Sequence, residues 1–205
     1  MGVSRSWRYH PDRRASPRGR GDRINLVTLF AAGVDPHHFE PKAADVRKLS
    51  DAAVVLRNGI HLDEFLDKMI ESNSAAVPVT VTEGITLHAS TDGDDHDDED
   101  PHVWHDPMNA KVMVDNIAKA LSAVDAANAS TYEQNAMTDK AKLDATDTQI
   151  KQLIDSIPPA NRKIVTNHDA FGYFIRRYNL TYVGAILSTS TQGEVSGKTW
   201  PPCKR

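Results

Sequence analysis

The sequence predicts an α/β protein with a parallel-sheet lobe, a long bridging helix and the start of a second α/β lobe. Three observations carry this. Short apolar runs at 24–30, 53–56 and 77–81 alternate with stretches of helical periodicity, the pattern of βαβ units. One helical stretch, about 130–156, is long and polar around most of its circumference, as a helix joining two bodies is. After Pro158-Pro159 the alternation resumes, with room for little more than one βαβ unit of about 30 residues. The expected organisation is an Arg-rich disordered segment over 1–20 and an N-terminal α/β lobe over 21–126. A bridging helix over 127–157 and an incomplete C-terminal lobe over 158–205 follow.

Each element has a local reason. Residues 1–23 hold seven arginines and no periodic apolar pattern. INLVTLF at 24–30 reads as a buried strand, and Gly33 and Pro36 make the loop after it. A short helix over 42–50 turns Val46 and Leu49 inward. A strand over 53–56 closes at the Asn58-Gly59 turn. Leu62, Phe65, Leu66, Met69 and Ile70 mark the face of the next helix. In the strand over 77–81, Pro78 points to a sheet edge or a strand start. Asp106-Pro107 opens a helix as N-cap and first-turn proline, with Met113, Ile117, Ala120, Leu121 and Val124 on its buried face. Ser130 and Glu133 form a capping box at the head of the long helix, which Pro158-Pro159 stop. A strand over 163–166, a helix over 170–178 and a strand over 181–186 follow.

Composition narrows the function. Apolar content of 40% and a net charge of −4 suit a globular protein with a core. Lys and Arg form no stripe interleaved with aromatics, so nucleic acid is not an expected partner. The lone Cys203 excludes an internal disulfide and a cysteine zinc site. No run of about 18 apolar residues predicts a membrane span, and residues 1–23 lack the apolar core of a signal peptide. A monomer is expected.

The most unusual stretch is HASTDGDDHDDEDPHVWHDP, from His88 to Pro107. Seven of the nine residues from Asp92 to Asp100 are acidic, and four of the nine histidines fall between His88 and His105. No core holds so many unpaired carboxylates, so this is a solvated negative loop that attracts cations. His88, Asp94, Asp95, His96, Asp97 and Asp98 are its candidate metal-recruiting groups. A plain solvated linker is the bland alternative.

Three histidines occupy one kind of position, the segment after a strand: His37, His102 and His168. In open α/β sheets ligands sit beyond the carboxyl ends of strands, so these rings can converge on one cation. Asp35, Asp100 and Asp169 stand beside or near them and can orient a ring or join the shell. His38 and His105 are neighbouring alternatives that spacing leaves open. Taken singly, each histidine is more often a hydrogen-bonded loop residue than a ligand.

At this point the motifs are similar to a known family. GVDPHHFEPKAADVRKLSDAAVVLRNGIHLDEFLDKM, the acidic His-bearing loop, DPHVWHDPMNA and KIVTNHDAFGYFIRRYNLTYVGAI come in order around a long helix. They resemble the metal-binding receptor of bacterial ABC importers for zinc or manganese, over roughly residues 21–192. The resemblance implies two α/β lobes joined by a rigid helix, with the metal between them. It implies His37, His102 and His168 as ligands, a membrane permease as partner, and a periplasmic or other extracytoplasmic location. It also makes the acidic loop a metal-recruiting or sensing loop. The family pattern starts earlier and extends beyond the STSTQ at 188–192, so the sequence is expected to be a fragment, truncated at both ends.

The leading expectation is Zn²⁺ binding for delivery to a permease, with Mn²⁺ as the lesser candidate and no enzymatic activity. Three imidazoles favour zinc, and a water or Asp169 is expected in the fourth place. The alternatives are a three-histidine zinc hydrolase or lyase, and a weak acidic metal buffer.

Overall fold

The computed structural model of the chain describes residues 5–8, 24–29, 34–49, 52–71, 76–90 and 99–187. Its elements run β1 (Arg5–Arg8), β2 (Asn25–Thr28), α1 (Ala43–Leu49), β3 (Val54–Arg57), α2 (Phe65–Glu71) and β4 (Val77–Thr80). They continue with α3 (Pro107–Val124), α4 (Ala129–Asp155), β5 (Lys163–Thr166), α5 (Gly172–Tyr178) and β6 (Thr181–Ala185). The class is α/β with parallel strands and one long helix, as the alternating pattern requires.

The first sheet has the order β2-β1-β3-β4. β3 and β4 pair in parallel, with Val54 opposite Val77 and Leu56 opposite Val79. β4 is an edge strand, which is where Pro78 belongs, since it has no N–H to give a further neighbour. Two expectations are corrected here. The sheet is mixed rather than wholly parallel, because β1 runs antiparallel to both β2 and β3. The disorder expected for 1–20 does not extend to Arg5–Arg8, which form that strand. A strand set between two others draws ladder hydrogen bonds from both sides. That backbone pairing leaves no signature in hydrophobic periodicity over four residues.

β3 is buried on both faces, hence its continuous apolar run. Val55 faces Leu49, Leu66 and Met69 of the two short helices. Val54 and Leu56 face Met113 and Ala120 of α3, together with Val81 and Val103. Burying each such side chain contributes about 1.5–3 kcal/mol. In α1, Leu49 is buried as expected but Val46 is 37% exposed. The helix instead turns in Asp45, whose carboxylate accepts from the Lys42 N–H at 3.0 Å and from Lys48 Nζ at 2.7 Å.

The Asp106 side chain accepts from the Met108 N–H at 2.7 Å and Pro107 begins α3, so this cap is the expected one. α4 begins differently. The capping box at Ser130 and Glu133 is not its start: the helix begins at Ala129, after a 3-10 turn over Ala126–Asn128. Buried Asp125 fixes this corner by accepting from Asn128 Nδ2 at 2.7 Å and from the Tyr132 hydroxyl at 2.6 Å.

α4 is one continuous helix of 27 residues. It runs antiparallel to α3, with Lys111 paired to Asp144 and Asp115 to Lys140, both at 2.6 Å. These exposed pairs contribute at most about 1 kcal/mol each. The seam that holds the two helices is apolar: Ala118 and Leu121 against Tyr132 and Ala136. α4 then continues to the second piece, a parallel pair of strands, β5 and β6, with α5 between them. Arg177 of α5 donates from Nε and Nη2 to the two oxygens of Asp147 on α4, each at 2.6 Å, and the Tyr178 hydroxyl adds a third bond at 2.8 Å. Tyr173 of α5 is buried in the core formed by Val54, Leu56 and Val103. α5 ends on Asn179, whose left-handed φ of 52° is a standard helix stop.

Candidate metal centre

The tripeptide Asp-Pro-His occurs twice, at 35–37 and 100–102. Both copies make the same turn. Asp35 Oδ1 accepts from the His37 N–H at 3.0 Å, and Asp100 Oδ1 accepts from the His102 N–H at 2.9 Å. An aspartate bonded to the backbone two residues on is the ordinary Asx turn. The first copy enters a 3-10 turn at once, Pro36–His38 with Asp35 as its N-cap, and the second precedes one, Val103–His105 with His102 as its N-cap. The third histidine, His168, lies just past the end of β5.

These segments bring three rings together. One nitrogen from each of His37, His102 and His168 lies within 4.8 Å of the others. The ring centroids are 5.2 Å apart for 37 and 102, 5.3 Å for 102 and 168, and 6.2 Å for 37 and 168. His102 is buried and His37 exposed, with His168 between them in exposure. His102 Nδ1 lies 2.8 Å from Asp100 Oδ1. A carboxylate only accepts, so Nδ1 carries the proton and Nε2 presents its lone pair. That lone pair faces His37 Nε2 at 3.2 Å.

Although His37 is exposed as a residue, desolvation of its ring within the crowded cluster, and then the neighbouring His102, hold it down to a pKa of about 4. The same two causes, in the same order, lower His168. Both rings are therefore neutral near pH 7, the form that binds a cation.

The other candidates lie elsewhere. His38 is turned outward, with Nδ1 4.0 Å from Asp35. His105 stacks on Phe171 at 4.3 Å, and burial first, then His102, lowers its pKa to about 4. Asp169, expected as a possible fourth ligand or base, is buried, and its Oδ2 accepts from Ser90 Oγ at 2.7 Å. It is not in the cluster. His88 also stands apart: its N–H donates to the Tyr173 hydroxyl at 3.2 Å and its ring lies 5.3 Å from that of Tyr173. Ala89 and Glu99 form a β-bridge, and the Asp100 N–H donates to the His88 carbonyl at 2.8 Å. The acidic segment thus leaves and re-enters at a narrow neck that ends on Asp100. Asp94, Asp95, His96, Asp97 and Asp98 lie outside the described residues.

Ser90 and Tyr173 are contacts the sequence did not disclose. Each bonds across from one piece of the chain to the other, and no local pattern marks such a pair. Among the described residues no helix is long and apolar enough to cross a membrane.

An α/β lobe on a mixed sheet, a single long helix and three histidine rings brought together beyond the strand ends match one class, the metal-binding substrate-binding proteins of ABC transporters. Residues 19–200 match the family described as zinc-uptake complex component A, periplasmic, and the chain belongs to that family. Its members are substrate-binding proteins, not enzymes. The metal ABC transporter substrate-binding lipoprotein ScbA of Streptococcus cristatus is 35% identical over 167 residues, 78% of this chain and 54% of that protein. The iron-binding protein YfeA of Yersinia pestis is 32% identical over 163 residues, 80% of this chain and 52% of its own. Among solved structures, a deletion mutant of ZnuA with zinc bound superposes with a TM-score of 0.76 at 27% identity, over 87% of this chain and 66% of that one. A manganese-bound periplasmic metal-binding protein from Candidatus Liberibacter asiaticus gives 0.67 at 31% identity, over 74% and 57%. The chain spans about half the length of these curated relatives.

Proposed function

We propose that this chain carries the zinc-binding part of an ABC importer's receptor, with His37, His102 and His168 as ligands. The observation that carries the reading is the 3.2 Å between the Nε2 atoms of His37 and His102. Two nitrogens about 2.0–2.1 Å from one tetrahedral ion stand roughly 3.3–3.4 Å apart. The spacing thus fits a shared cation, and one of the two lone pairs is fixed toward it by Asp100.

The choice of zinc rests on donor chemistry. Relatives are named for manganese and for iron as well. Three neutral imidazoles suit zinc, whereas manganese prefers more carboxylate and water oxygen. Water or the Asp169 carboxylate takes the fourth place. The ion is cargo: the receptor holds it outside the cytoplasmic membrane and passes it to the permease, and the acidic segment 91–98 recruits cations for it. The protein acts as a monomer.

Titration calorimetry with zinc and with manganese tests this. One zinc per chain should bind, more tightly than manganese. His37→Ala, His102→Ala and His168→Ala should each lose most of that affinity, and His61→Ala, whose exposed side chain is outside the cluster, should keep it. Parent-like zinc binding by His168→Ala would sink the three-histidine site.

A further inference from the structure

We propose that Asn58 is a positioning residue for the metal site: its buried side-chain amide holds the Pro101 carbonyl and thereby fixes the turn that presents His102. The inference rests on the three-histidine reading above.

Asn58 follows β3 and is 1% exposed. Its backbone and side chain tie three loops together. Its own N–H donates to Asp63 Oδ2 at 2.6 Å, and the Gly59 N–H donates to Asp63 Oδ1 at 2.8 Å. Its carbonyl accepts from the Thr82 hydroxyl at 2.5 Å, in the segment after β4. Its Nδ2 donates to the Gly59 carbonyl at 3.2 Å and to the Pro101 carbonyl at 3.1 Å. The last bond is the one that reaches the site, because Pro101 lies between Asp100, which grips the His102 ring, and His102 itself.

The orientation of the amide follows from its surroundings. Both near partners are carbonyls, so the NH₂ must face them; the flipped amide would set oxygen against oxygen. Among the described residues, Asn58 Oδ1 then meets no donor. A buried acceptor without a donor is destabilising. So is the backbone just beyond, where Ile60 and His61 take left-handed φ values of 54° and 58°. A loop selected for stability alone would keep neither feature. Both follow if the loop must deliver one N–H₂ group to Pro101.

The fold supplies its own control. Asn116 on α3 also holds loop carbonyls, those of Val81 and Glu83, each at 2.9 Å. It does the same structural work for the segment after β4, but that segment meets Asn58 only at its backbone carbonyl, through the Thr82 hydroxyl, and not at the amide that holds Pro101. A merely structural asparagine should behave like Asn116.

The test compares Asn58→Asp, Asn58→Ala and Asn116→Ala with the parent. Zinc affinity is measured by competition with a chromophoric chelator, and the visible bands of the cobalt(II)-loaded protein report ligand geometry. Groups that orient metal-binding histidines typically account for about 10- to 100-fold in affinity. We expect losses of that size in both Asn58 variants, still with one metal per chain and with altered cobalt bands. Asn116→Ala should keep parent affinity and bands even where its urea midpoint falls. Parent-like affinity and bands in a folded Asn58 variant overturn the proposal, as does an equal loss in Asn116→Ala. The parent protein gives a second reading that needs no variant: zinc should slow amide exchange across 58–63 as well as 100–105. Slowing confined to 100–105 overturns the coupling. His102→Ala separates the two ideas. If it binds zinc normally, the site assignment fails; if it loses zinc while Asn58 variants do not, only the role of Asn58 fails.

Discussion

The two Asp-Pro-His turns are the same three residues making the same backbone bond, yet they hold their histidines differently. At 100–102 the turn is set in the core. Asp100 is 3% exposed, His102 is 5% exposed, and the next residue, Val103, is fully buried. Asp100 Oδ1 takes both the His102 N–H and the ring Nδ1. At 35–37 the turn sits on the rim: Asp35 is buried but His37 is exposed. The His102 ring is held by burial and by Asp100, whereas the exposed His37 is tied to Asp35 through its backbone N–H. On the proposed metal-binding reading, such an asymmetry suits a site that loads and releases an ion.

The largest expected effect breaks the buried half. A four-ligand zinc site supplies roughly 10–16 kcal/mol, so one ligand accounts for about a hundred- to a thousandfold in affinity. His102→Ala should reach the upper end, since it removes the ring that Asp100 already holds in place. His37→Ala should fall near the lower end. Titration calorimetry of both variants decides it, and an equal or reversed order would remove the asymmetry.

The aspartates sharpen the same contrast. Asp100→Ala frees the ring as well as the backbone and should lower zinc affinity about 10- to 100-fold. Asp35→Ala loses a turn bond of the kind that contributes about 1 kcal/mol, or roughly fivefold. Chelator competition on the two variants resolves this difference; matched losses would show that Asp100 works through the backbone alone.

Much of this was legible in the sequence. The convergence of the three strand-end histidines was legible, because α/β topology sends such loops to one end of the strands whatever their length. The choice between His37 and His38, and between His102 and His105, was not legible from spacing, since it depends on which side of a three-residue turn each ring leaves. Asp169 was read as a possible ligand because it adjoins His168; its bond to Ser90, 79 residues away, was not legible. Asn58 read only as half of a turn, because its bond to Pro101 crosses 43 residues. Local signals also misplaced the head of α4, where buried Asp125 outweighs the capping box, and the inward face of α1, where Asp45 displaces Val46. In each case a long-range or buried polar contact overrode a pattern that was correct on its own terms.

The smallest effect on zinc should come from the third ligand's mounting. His168 follows β5, in the piece that Arg177 and Tyr178 fasten to Asp147 of the long helix. The Arg177 hydrogen bonds hold the Asp147 carboxyl below its ordinary pKa of 3.8, against the opposing effect of burial. A carboxyl lowered in the folded state stabilises the fold above its ordinary pKa, and that contribution is lost as pH falls through the lower folded value. Asp147→Asn should therefore destabilise the protein by about 1.5–3 kcal/mol at pH 7. The gap to the parent should narrow steadily below about pH 4, where the parent's own carboxylate takes up its proton. Urea unfolding of both proteins at pH 7 and near pH 3 measures it, and a gap unchanged between the two would deny the ion pair its role. Zinc affinity in Asp147→Asn should fall less than in either Asp-Pro-His aspartate variant. The substitution loosens the body that carries His168, while Tyr173 stays buried in the first core and keeps that body in place.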